Sequence, residues 1–138
     1  MKTTILLACV AALAIASPSF AADVNLKADL KGASEVPPTD SKGSGAVTAT
    51  FDTASKKLSW KGTVSGLSGP ATAAHFHAGE AGKNGGVAVP ITGADKGSFE
   101  GSATLTDAQA EELMAGKWYV NVHTAANKGG EVRGQVTK

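Results

Sequence analysis

All three histidines of this chain fall in two short segments. His75 and His77 lie in Ala74-His75-Phe76-His77-Ala78-Gly79, and His123 closes Trp118-Tyr119-Val120-Asn121-Val122-His123. Alternate residues of a strand share a face and rise about 3.3 Å each, so a His-x-His pair presents two imidazoles on one side, about 6.6 Å apart at Cβ. That span suits two ligands on one metal ion, and imidazole suits copper, zinc, iron and nickel.

Face assignment extends the set to three. Burying Trp118, Val120 and Val122 turns Tyr119, Asn121 and His123 to the outer face, and burying Phe76 turns His75 and His77 the same way. If the two strands neighbour each other, the imidazoles converge outside the core. Three histidines with an open position suit zinc or copper. Copper is expected to lead, because it binds nitrogen donors more tightly within the divalent series. The competing expectation is three histidines that are merely solvated or bonded to loop backbone.

Other polar residues carry two expectations each. Glu131, Glu80 and Asn121 are candidates for a fourth ligand or for orienting a histidine from behind. Arg133, the single arginine, could draw an anion towards an ion. The simpler expectation pairs Glu131 with Arg133 at the surface and leaves Glu80 as loop charge. Asn84-Gly85 reads as a tight turn, since both residues tolerate positive φ. No Gly-x-Ser-x-Gly elbow occurs, and Glu111-Glu112 reads as solvent-facing helix charge, so no residue is assigned a catalytic role.

The elements that must position these residues read as short strands. Alternation marks 24–30, 46–51, 58–64, 73–77, 87–91, 98–105, 118–123 and 131–137, cut by glycine-rich breaks. Thr106-Asp107-Ala108-Gln109 reads as a capping box opening a short helix over 107–115, with Gly116 as its stop. The expected fold is all-β: an antiparallel Greek-key β-sandwich or barrel, with that helix as a connection.

The N-terminus reads as an address. Lys2, the apolar run from Ile5 to Ile15 and the small residues at Ser19 and Ala21 fit a signal peptide over 1–21, cleaved after Ala21. The expected localisation is therefore export, to a periplasm or the exterior, with one domain over 22–138. The lone cysteine, Cys9, would leave with the signal, so thiolate ligands are excluded. Without Lys2, 12 basic residues balance 12 acidic ones. Nothing suggests a nucleic-acid stripe, and no stretch of the mature region is long and apolar enough to span a bilayer.

With those residues in view, the chain resembles the chordin-domain (CHRD) family. The resemblance rests on Gly32-Ala33-Ser34-Glu35-Val36-Pro37-Pro38, Val64-Ser65-Gly66-Leu67-Ser68-Gly69-Pro70 and Ala73-Ala74-His75-Phe76-His77. It continues through Asn84-Gly85-Gly86-Val87, Leu105-Thr106-Asp107-Ala108-Gln109, Tyr119-Val120-Asn121-Val122-His123-Thr124 and Gly129-Gly130-Glu131-Val132-Arg133-Gly134-Gln135. It implies an extracytoplasmic sandwich, immunoglobulin-like or dismutase-like, with no settled activity. A fainter similarity to copper-zinc superoxide dismutase matches His75, His77 and His123 to copper ligands and Arg133 to an arginine nearby. The bridging histidine, the zinc ligands and the disulfide cysteines of that family are missing. The leading expectation is a small exported module binding one copper ion, with zinc as the alternative. Its rivals are a metal-free module that binds an extracytoplasmic protein, and a metal-dependent redox enzyme.

Overall fold

The computed structural model describes residues 11–17 and 22–138. The expected cleavage point at Ala21 and most of the expected signal segment lie outside those residues.

Period-two alternation builds eight strands. They are β1 (Asp23–Lys31), β2 (Ser44–Asp52), β3 (Lys57–Ser65), β4 (Ala71–Ala78), β5 (Val87–Ile91), β6 (Ser98–Thr104), β7 (Trp118–Thr124) and β8 (Val132–Gln135). All pairings are antiparallel, in the order β5-β4-β7-β8-β1-β2-β3-β6. The sheet curls into a nearly closed barrel, with β5 and β6 as its two edges. The all-β expectation holds, and the architecture is consistent with an immunoglobulin-like or dismutase-like sandwich.

The inward residues form one core. Leu26, Leu30, Val47, Phe51, Leu58, Trp60, Phe76, Trp118, Val120, Val122 and Val132 are buried there. Trp60 meets Phe76 edge-on with centroids 5.1 Å apart, and Phe76 meets Trp118 at 5.9 Å. Each large side chain removed from water contributes roughly 1.5–3 kcal/mol. Gly101 stays small because the inward Trp60 ring fills the space beside it: a Cβ there would lie 2.6 Å from Trp60 Cζ2.

The one α-helix, α1 (Asp107–Met114), opens on the expected capping box. Thr106 Oγ1 accepts from the Gln109 N–H at 3.2 Å, and Gln109 Oε1 accepts from the Thr106 N–H at 3.0 Å. Gly116, at φ +75, follows its end. Among the described residues, no helix is long and apolar enough to cross a membrane.

Two local expectations need correction. The last strand is Val132–Gln135 and not 131–137, although the Glu131 N–H still donates to Val122 O at 2.7 Å and Thr137 forms an isolated bridge with Lys27. Neither Asn84 nor Gly85 has positive φ; in that loop Gly82 does. The Asn84 side chain works as a bridge instead, donating to Val36 O at 2.9 Å and accepting from Arg133 Nη1 at 3.1 Å.

Candidate metal centre

The outward faces of β4, β7 and β8 carry one continuous polar patch. Register places His75 opposite Asn121, His77 opposite Tyr119, and Ala73 opposite His123. Asn121 in turn faces Arg133, and Tyr119 faces Gln135. Facing was as the alternation required, but solvent is not what this side meets. Loops 32–43, 79–86 and 125–131 fold over the patch and make it a second, polar interior. Tyr119, Asn121, Glu131 and Arg133 are at most 3 % exposed and His77 is 8 % exposed, while His75 and His123 are half-buried.

The structure brings the three histidines together. One ring nitrogen from each lies within 4.8 Å of the other two. His75 Nδ1 and His123 Nε2 are 3.3 Å apart. Two nitrogens sharing a tetrahedral ion at bonds of about 2.0–2.1 Å would be roughly 3.3 Å apart, so that pair already has ligand spacing.

Backbone acceptors decide which nitrogens are free. A carbonyl oxygen can only accept, so His77 Nδ1 donates to Gly85 O at 3.0 Å and His123 Nδ1 donates to Lys128 O at 2.8 Å. In the neutral rings this leaves both Nε2 atoms with a lone pair. Such a carbonyl behind an imidazole is the usual way a metal-binding histidine is oriented. Burial lowers the His75 pKa, with repulsion from His123 and His77 adding to it; burial also lowers that of His77. Both effects favour neutral rings. The donor set therefore fits a nitrogen-preferring cation.

The His77 clamp is itself braced. Tyr119 stacks on the His77 ring, with centroids 4.8 Å apart and planes within 1°. Its hydroxyl accepts from the Gly85 N–H at 3.0 Å. Arg133 covers the other face of Tyr119, its guanidinium carbon 3.4 Å from the ring centroid. Arg133 also donates to Asn84 Oδ1 and to the carbonyls of Glu80 and Lys83, which ties down loop 79–86.

The remaining candidates sort themselves. The expected surface pair between Glu131 and Arg133 does not form. Arg133 is committed to Tyr119 and the loop, and it does not extend towards the imidazoles as an anion guide. Glu131 is fully buried among neutral donors: Thr124 at 2.7 Å, Ser41 at 2.8 Å, the Ser68 N–H at 2.9 Å, Asn127 at 3.1 Å and the Ser68 hydroxyl. Burial pushes its carboxyl up, but the bonds from Ser68, Thr124 and Ser41 outweigh that and bring it down to about 2. With its oxygens so engaged, it is a loop staple and not a ligand. The Glu80 side chain faces Lys83 at 3.4 Å and Lys117 at 3.9 Å. Asn121 remains: its Nδ2 reaches Gly129 O at 3.4 Å, and its buried Oδ1 has no partner.

Sequence reasoning passed over Glu35. This residue is 4 % exposed, under the loop that covers the patch. Burial raises its pKa, and Arg133, the Val36 N–H and Asn121 lower it only in part. Its signal in the sequence was weak: a carboxylate before Val-Pro-Pro reads as ordinary loop charge.

A protein-family model described as the CHRD domain matches residues 26–136. No curated protein and no solved structure matches the chain.

Proposed function

The chain belongs to the CHRD domain family, and from that premise we propose that it is an exported metal-binding module. One ion is held by His75 Nδ1, His77 Nε2 and His123 Nε2, and copper is preferred to zinc. The observation that carries this reading is the convergence of three ring nitrogens within 4.8 Å, with Gly85 O on His77 and Lys128 O on His123 leaving both Nε2 atoms free and His123 Nε2 3.3 Å from His75 Nδ1. Bonds to loop backbone alone, the competing expectation, do not require the three rings to converge, yet one nitrogen from each lies within 4.8 Å of the others. Copper follows from an all-nitrogen donor set without thiolate, where the divalent series favours it. Export rests on the sequence of residues 1–21. The work is binding, delivery or sequestration; the position of Arg133 lends no support to a redox enzyme that draws in an anion.

Titration with Cu(II), followed by electron paramagnetic resonance and thermal melting, tests the reading. One equivalent should bind, with nitrogen hyperfine structure, and at a hundredfold excess over Kd should add about 2.7 kcal/mol of stability. Combined His75→Ala, His77→Ala and His123→Ala substitutions should abolish both signals. An unchanged spectrum and melting point would sink the proposal and leave a protein-binding module. Intact mass of the exported form should correspond to a chain beginning at Ala22.

A further inference from the structure

Three buried side chains with an unpartnered polar atom meet behind the histidines. They are Glu35 (Oε1), Asn121 (Oδ1) and His77 (Nε2), each more than nine-tenths buried. Polar atoms so placed normally have a partner, and these three, with Gln135 Oε1 further along the same face, call for a cause.

Gly130 marks where two of them meet. It sits at φ +126, and a side chain there would overlap Glu35 Oε1 and come within 2.6 Å of Asn121 Nδ2. The absent side chain thus leaves the Glu35 carboxylate and the Asn121 amide nitrogen side by side. An amide carries its oxygen on the opposite branch of the same planar group, so Nδ2 beside Glu35 turns Oδ1 away from it. On the same outward face stands His77, two residues along β4 from His75, the residue opposite Asn121. His77 Nδ1–H is already committed to Gly85 O, so Nε2 offers a lone pair. Asn121 Oδ1 and His77 Nε2 are then both acceptors, both buried and without a donor among the described residues. A cation satisfies both at once.

We propose that Glu35 is a positioning residue for this cation: when the ion binds, its unpartnered carboxylate oxygen takes up the neighbouring Asn121 amide N–H, and this holds Asn121 Oδ1 inward as a fourth donor beside the three imidazoles. The proposal rests on the metal-binding reading and deepens it, since it names an oxygen donor and the group that aims it. Glu35 also supplies a negative charge close to a set of neutral ligands. That carboxylate is 4 % exposed and makes no salt bridge among the described residues, and a divalent ion supplies the counter-charge. The price is a less stable protein in the absence of metal.

That last point separates an ion-serving role from a structural one. Wild type, Glu35→Gln, Asn121→Ala and the double variant are compared by calorimetric titration with Cu(II), by the copper spectrum, and by melting without metal. Glu35→Gln should lower affinity about 10- to 100-fold, the range expected for a partner standing behind a ligand, and should shift the copper hyperfine splitting. Its metal-free melting point should stay level or rise, because a buried charge is removed. Asn121→Ala should lose affinity similarly, and the double variant should lose little more, since the two act as one unit. Wild-type affinity and spectrum in Glu35→Gln would overturn the proposal and leave the histidine site standing. So would a lower melting point with affinity unchanged. Failure of wild type to bind copper would overturn both readings.

Discussion

Tyr119 shows how much one side chain can organise. It stacks on His77, supports Arg133 and accepts from the Gly85 N–H. Tyr119→Phe keeps both stacks and removes the hydroxyl. The expected cost is about 1 kcal/mol of stability for the lost bond, read by urea unfolding, with a several-fold loss of copper affinity because Gly85 O is less firmly placed. Glu131 gives a pH signature. Its folded pKa, near 2, lies below the ordinary 4.5. The ionised form therefore stabilises the fold fully above about pH 4.5, and that contribution is lost as pH falls towards 2. Glu131→Gln should flatten acid unfolding across this window and lower the neutral-pH melting point by on the order of 10 °C. The histidines were legible because alternation fixes the face of every strand residue. Burial on that face was not: period two says which way Asn121 and Arg133 point, and is silent about loops that return from elsewhere to cover them. Glu35 and the true partners of Glu131 were hidden for that reason.

Strands and helix were readable because each has a local cause. Apolar alternation set β1, β2, β3 and β7 to within two residues, and the Thr106–Gln109 exchange set the start of α1. Thr106→Ala should cost about 1 kcal/mol and leave copper affinity unchanged, which makes it a control for stability alone. The loops were harder. The bend at Gly130 leaves room for Glu35 and Asn121, and nothing near position 130 announces Glu35, which lies far away in sequence. Gly130→Ala adds a methyl in that space and forces a residue with a Cβ to positive φ. The expected result is a loss of about 1–3 kcal/mol, seen as a lower unfolding midpoint, together with weaker metal binding.

At the scale of the whole molecule, the barrel has two interiors. The apolar one is held by Trp60, Phe76, Trp118 and the aliphatic residues around them, and it accounts for the fold. The polar one lies outside β4, β7 and β8 and depends on loop cover. The strands thus fix where the three imidazoles stand, while the loops fix which nitrogen each clamped ring presents. The clamps are unequal. His77 and His123 each lean on a carbonyl, whereas neither ring nitrogen of His75 meets backbone among the described residues. His75 also sits in β4 beside Pro90 of the edge strand β5, on the less enclosed flank. On the proposed metal-binding reading, the ion loses the His75 ligand first, while two anchored rings keep hold of it.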